Sequence, residues 1–332
     1  MSSRFRLAAA CSLFVCLACT AHATENGNSH ADFGYIDVLA GLPPPAGLYF
    51  RDDVSVVTSN EFDDRNGNKD AINLGQRTFP IKFRATAEAN IVSLAYVPDY
   101  KIPYIDGTFG IAAYDFVANS RVVLSDAFGI PERSGNDVGA LGDITVVPLF
   151  VGFTVPNTPF NFIVAPFDFT APTGRYGVSS VNNVGLNYWS YRPALEFTYL
   201  NKTGQEISLN TSLSINSQNQ ATHYKSGSEY YLGYVFQQHF SRKFGLGIGG
   251  YYYRQIGHDT QFGKEVDTNL TPQTLDLTNF GPGNFGETFA VGPLVTYNVN
   301  SHIFLEAHWD HEVFAYDRQK RDLVFLRAIF HL

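Results

Sequence analysis

The stretch QEISLNTSLSIN (Gln205–Asn216) sets Ile207, Leu209, Thr211, Leu213 and Ile215 on one side of an extended chain. Ser208, Asn210, Ser212, Ser214 and Asn216 fall on the other. An amphipathic helix needs a period of 3.6, which is absent here, so the stretch reads as a strand with one apolar and one polar face. The same alternation recurs in ALEFTYL (Ala194–Leu200), YYLGYVFQQHF (230–240), IFLEAHWDHEV (303–313) and the closing DLVFLRAIFHL (322–332).

Outward from these strands, the connections alternate in length. Short turns are expected at AEAN (87–90), ANSR (118–121), NKTG (201–204), SRK (241–243) and NVNS (298–301). Long polar loops are expected near 60–76, 129–140, 170–185 and 258–285. Short turns at one end and long loops at the other are the outer-membrane pattern, and a wall in lipid must close because an open edge strands backbone polar groups. Tyr188, Trp189, Tyr191, Tyr297, Trp309 and Tyr316 sit near strand ends, as interfacial aromatic girdles do. The expected fold is all-β: a transmembrane antiparallel β-barrel over 47–332 with about 14 strands, about 12 being the alternative count. Its place is the bacterial outer membrane, with outer-membrane lipid and the barrel assembly machinery as partners.

The N-terminus carries a different signal. Arg4 and Arg6 precede an apolar run, LAAACSLFVCL (7–17), and Ala21-His22-Ala23 offers a cleavage site, so residues 1–23 read as a signal peptide. A lipoprotein signal ending at Cys19 is the alternative. The three cysteines all lie in this segment, which leaves the expected mature chain with no disulfide, thiolate metal site or cysteine nucleophile. Residues 24–46, ending in the Pro-rich GLPPPAG, read as a periplasmic or lumenal N-terminal segment. The net charge of -8 without a basic cluster argues against nucleic acid as a partner. A mean hydropathy of -0.09 with no long apolar run argues against membrane helices.

GLGIGG (245–250) matches the dinucleotide fingerprint by letter. However, its glycines alternate with Leu246 and Ile248 inside a strand, and YYYRQ follows where a helix would start, so the structural reading holds. Small residues facing a lumen leave room for cargo, a plug or a neighbour's large side chains. DDRNGNKD (63–70) opens with calcium-loop spacing, but Lys69 and Gly75 stand where a glycine and a bidentate glutamate belong, and no metal site is expected. EAHWDH (306–311) places Glu306, His308 and Asp310 on one face, beside Arg327 of the next strand. That column is a neutral structural network or a ligand contact; as a hydrolase site it lacks a strained serine motif, although Ser212 and Ser214 stay open as nucleophiles.

Alternation also turns Tyr231, Val235, Tyr251, Tyr253, Phe304, Phe325 and Ile329 inward, mixed with Arg192, Glu196, Gln237 and Gln255. Such a wall suits a largely apolar ligand steered by a few polar groups, or else simply fills a narrow barrel. The candidate ligand-contact residues are Arg192, Tyr251, Tyr253, Gln255, Glu306, His308, Asp310 and Arg327; no catalytic residue and no cofactor are expected. Asp52 falls on the lipid face, which calls for a β-bulge or a different register.

Several phrases resemble the outer-membrane family associated with the meta-pathway of phenol degradation: PPPAGLYF (43–50), GDITVVPLF (142–150), APFDFTAPTGRY (165–176), NVGLNYWSYRPALEFTYLNKTGQEISLN (183–210), YKSGSEYYLGY (224–234) and GLGIGGYYYRQIGHDTQFG (245–263). The resemblance implies a β-barrel transporter akin to hydrophobic-compound channels, and matches Tyr253, Gln255 and Asp259 to a family pattern of open role. The expected function is a non-enzymatic, porin-like channel for passive uptake of small hydrophobic or aromatic solutes. The alternatives are a closed structural or adhesive surface barrel and a barrel hydrolase.

Overall fold

A computed structural model describes residues 28–31, 37–74, 77–80, 82–125, 133–180, 182–265 and 285–332. The expected signal peptide (1–23) lies outside these residues, as do 24–27 and 32–36 of the lead-in and most of the loop expected at 258–285.

Twelve antiparallel strands close into a barrel: β1 (Gly47–Asp63), β2 (Lys82–Val97), β3 (Thr108–Ser125), β4 (Thr145–Thr154), β5 (Phe160–Thr170), β6 (Ala194–Leu200), β7 (Gln205–Asn216), β8 (Glu229–His239), β9 (Phe244–Gln255), β10 (Glu287–Asn298), β11 (Ile303–Tyr316) and β12 (Arg318–His331). Each pairs with its chain neighbours, and β1 closes on β12 from Tyr49↔His331 to Asp63↔Arg318. Two further strands belong to the same sheet without adding to the ring. Arg133–Leu141 continues the line of β4 along β3, and Ser190–Tyr191 continues β6 between β5 and β7.

Twelve is the lower of the two expected counts, and two misread turns account for the difference. AEAN lies within β2 and ANSR within β3, both unbroken. Their polar residues Glu88, Asn119 and Arg121 point outward from strands of 16 and 18 residues, well beyond the ~10 a strand needs to cross a bilayer. A long strand that projects into water carries polar residues on its outer face, and in sequence these mimic a turn. The turns at NKTG, SRK and NVNS separate β6–β7, β8–β9 and β10–β11, on the same rim as both barrel termini. The loops 64–81, 171–189 and 217–228 lie on the other rim.

The barrel has an apolar outside and a polar-aromatic inside. Val54, Leu94, Ile111, Leu246, Ile248, Val324 and Leu326 are exposed, while Asp53, Ser55, Tyr251, Glu306, Asp310 and Arg327 are buried. Trp189, Tyr297 and Trp309 are exposed as girdle residues should be, whereas Tyr188 turns inside and packs on His30. Asp52 keeps the outward position that alternation gives it. The β1 ladder is regular there, with its one shift between Thr58 and Glu61, and the Asn90 amide donates to the Asp52 carboxylate. A side-chain hydrogen bond, not a bulge, accommodates the acid.

The glycines of β9 find their use here. Gln237 of β8 reaches over Gly245 to donate to Thr296 Oγ1 of β10 at 2.8 Å, and a Cβ on Gly245 would overlap that amide. On the outer face the Tyr234 hydroxyl crosses Gly250 to the Ala290 carbonyl at 2.8 Å. GLGIGG is therefore a saddle that lets long side chains bridge alternate strands on both faces.

Candidate functional site

The lumen holds the polar chemistry, organised in rows across the strands. Arg327 is the hub of one row. Its Nε and Nη2 donate to the Asp53 carboxylate (2.8 and 3.1 Å), and Nη1 donates to Asp37 and Glu306 (2.5 and 3.4 Å). Arg51 adds bonds to Asp53 and Asp37. Two guanidiniums thus face three carboxylates in a buried cluster, where unpaired charge would be prohibitive. The sequence column of Glu306, His308 and Asp310 faces this lumen, continued by Glu312.

The other sequence candidates are also inside, each held by the wall. Tyr251 donates to Glu312 Oε1 (2.5 Å) and Tyr253 to Glu229 Oε1 (2.6 Å). Gln255 Nε2 donates to Asp259 Oδ1 (2.7 Å). Arg192 pairs with Asp168 (3.0 Å) and donates to the Tyr114 hydroxyl and the His30 carbonyl. The structure does not bring the eight candidates together in one pocket: Glu306, His308, Asp310 and Arg327 lie on β11–β12, Tyr251, Tyr253 and Gln255 on β9, and Arg192 beside β6. Phe304, Ile329 and Glu196 are only half-buried.

The described residues of the N-terminal segment contact this inner wall. Leu39 N donates to Glu206 Oε1 (2.6 Å) and Gly41 N to Thr198 Oγ1 (2.9 Å). Ala31 and Val38 pack on Tyr231, Val235, Tyr251, Tyr253, Ala290 and Leu294. Asp143 collects three donors, Gly174 N (2.7 Å), Leu186 N (2.6 Å) and His30 Nε2 (2.9 Å), which ties the segment to the long loop 171–189.

Ser190, His30 and Asp143 form a chain that looks like a catalytic triad, with His30 Nδ1 2.6 Å from Ser190 Oγ. Asn216 Nδ2 donates to Glu229 and Gly227, and its Oδ1 accepts the Ser190 hydroxyl at 2.7 Å, so that hydroxyl points at the amide rather than at His30. The chain Asp143–His30–Ser190–Asn216 fastens the leading segment to the wall. Ser212 and Ser214 lie on β7, four strands from His308 on β11, and no base is hydrogen-bonded to either.

On the opposite side the wall is less covered. Between the buried Phe83 and Val97, the inward residues of β2 are Ala85, Ala87, Ala89, Ile91, Ser93 and Ala95, all half-exposed, whereas Tyr251 and Tyr253 of β9 and Glu306, His308, Asp310 and Glu312 of β11 are buried. The free part of the lumen therefore runs along a strip of mostly alanines. This strip was legible as ATAEAN, every second residue Ala, but the polar residues between them suggested a turn. His30, Asp37, Asp53 and Asp143 were also missed; Arg51 and Asp53 share the face opposite Asp52 and could have been read from alternation.

At the outer rim, Asp64 closes the loop that resembles a calcium site by accepting from Asn66 N, Asn68 N and Asn68 Nδ2. In the β11–β12 turn, burial pushes the Asp317 carboxyl up to about 7, against the pull of Arg65.

These features define a class: a twelve-stranded transmembrane barrel of the outer-membrane type, with a polar-aromatic lumen partly filled by its own leading segment. Residues 59–328 match the family described as "Putative MetA-pathway of phenol degradation", and the chain belongs to that family. Among solved structures, the fold is similar to the COG4313 outer membrane channel from Pseudomonas putida F1, with a TM-score of 0.68 and 15% identity over 90% of this chain and 100% of that one. Looser likenesses, carrying no argument, include the toluene transporter TbuX of Ralstonia pickettii (TM-score 0.41, 9% identity, 87% and 90% covered). Another is the translocator domain of the autotransporter NalP of Neisseria meningitidis (TM-score 0.40, 11% identity, 98% and 97% covered). Among curated proteins none matches the chain.

Proposed function

We propose that this protein is an outer-membrane channel that admits small hydrophobic or aromatic compounds by passive diffusion. The observation that carries this reading is the half-exposed strip of β2, where Ala85, Ala87, Ala89 and Ala95 offer a passage with almost no polar group to hold water. A general porin needs a hydrated constriction with facing rows of charge; here the buried charges are spent on each other around Arg327. An alanine strip bounded by buried aromatics such as Phe325 favours a flat apolar solute over a sugar. Membership of a family described by phenol degradation agrees with such cargo. No step of passive diffusion requires a catalytic group.

A second reading, a barrel packed shut for a structural role, draws on the bonds of His30, Leu39 and Gly41 to the inner wall. Uptake into lipopolysaccharide-bearing vesicles separates the two. The channel reading expects labelled phenol to enter faster with the protein than without it, and glucose to show little change. Equal acceleration of both solutes, or of neither, would sink it.

A further inference from the structure

His308 and Asp310 are a buried polar pair on β11. Both are at most 2% exposed, and among the described residues neither ring nitrogen nor either carboxylate oxygen has a well-aligned hydrogen bond. His308 Nε2 stands 3.2 Å from Asp310 Oδ1, an electrostatic contact whose angle is poor for a hydrogen bond, so each residue keeps capacity for a further partner. The cross-strand neighbours are apolar: His308 lies between Leu294 and Phe325 on the adjacent strands, with its ring edge-on to Phe325 at 5.2 Å, and Asp310 lies opposite Leu323. Other buried acids of the same wall are paired, Glu312 with Tyr251 and Glu229 with Tyr253. Burying polar atoms without hydrogen bonds is unfavourable, and a bound partner that supplies them lessens that cost.

The pair also stands beside the alanine strip. Across the strands, His308 is in register with Phe325, then Ser55, then Ala89. Ser55 is small, so along this row it is the Phe325 side chain that separates the strip from the pair.

We propose that His308 and Asp310 form a specificity subsite for the hydroxyl of a neutral aromatic alcohol, the ring lying against Phe325 and Leu294. The hydroxyl donates to an Asp310 carboxylate oxygen and accepts from a His308 N–H, so one group satisfies both residues. A hydrocarbon of the same shape leaves them unpaired, and sites built to hydrogen-bond a hydroxyl discriminate strongly against analogues that lack it. The inference rests on the channel reading and narrows its solute from aromatic compounds in general to hydroxylated ones.

The test uses the full chain in lipid vesicles, with phenol and toluene as a near-isosteric pair whose equilibrium binding is corrected for partition into protein-free lipid. The expected result is a preference for phenol of about tenfold or more in the native protein. His308→Leu/Asp310→Leu should bring the ratio to about one while the barrel melts no lower, since the variant removes unpaired buried polar groups. Asp310→Asn, which keeps an acceptor oxygen, should retain part of the preference. A native ratio near one means that only water occupies the pair, and this overturns the proposal; so does a double variant with its preference intact. Uptake of phenol and toluene in the same vesicles judges the channel separately. Uptake without preference leaves the channel standing and removes the subsite, whereas preferential binding without uptake does the reverse.

Discussion

Replacing Arg327 with methionine removes the guanidinium that holds Asp53, Asp37 and Glu306 together. Hydrogen bonds to Asp53 (two), Asp37 and Glu306 disappear at once. Arg51 remains, so three carboxylates share one cation where they had two. Breaking a buried ion pair by deleting one partner costs about 3–5 kcal/mol, because the surviving charge stays buried without compensation. The Arg51 bonds to Asp53 and Asp37 place Arg327→Met at the lower end, about 3 kcal/mol, or over a hundredfold in the unfolding constant. Urea unfolding in vesicles, followed by the fluorescence of Trp189 and Trp309, measures this directly. Adding Asp53→Asn to the variant should recover at least about 1 kcal/mol, since the orphaned acid is the source of the cost. A loss below about 1 kcal/mol for Arg327→Met, or no recovery in the double variant, would refute the view that this cluster fastens β1, β11, β12 and the leading segment.

Two other outcomes follow from the segment and the rim. A Cβ on Gly41 would press into the backbone of Phe197 and Thr198, so Gly41→Ala should detach the leading segment from β6. Planar-bilayer recordings should then show a higher conductance with the barrel intact; an unchanged conductance would show that the segment does not obstruct the lumen. At the rim, the Asp317 carboxyl is raised to about 7 by burial, so the folded state holds its proton more tightly than the unfolded chain does. Its contribution is most favourable below about pH 4 and is lost as pH rises to about 7. Asp317→Asn should therefore stabilise the barrel at pH 8, by about 2 kcal/mol for this half-buried side chain, and change little at pH 4. Asparagine also tolerates the positive φ of 50° at this turn. Equal thermal shifts at both pH values would contradict that assignment.

The alternation that makes Gln205–Asn216 a strand was enough to reveal the fold, because a closed wall between lipid and lumen forces period 2 on every strand. It also placed Glu306, His308, Asp310 and Arg327 together, since cross-strand neighbours in a meander are close in sequence. Contacts between the leading segment and the barrel were not legible. His30 meets Asp143 at a separation of 113 residues and Ser190 at 160, and no local periodicity encodes such pairings. The alanine strip was hidden for a different reason: alanine signals neither face strongly, and the outward Glu88 and Asn90 between its members outweighed it.

The account stands most directly on the flux along that strip. Ala89→Trp places an indole in the free part of the lumen, and its folding can be verified by the gel shift that intact barrels show before heating. The channel reading predicts that labelled phenol enters lipopolysaccharide-bearing vesicles with native protein several times faster than vesicles with the folded Ala89→Trp variant. Equal rates for the two proteins would place the solute path elsewhere and contradict the central claim.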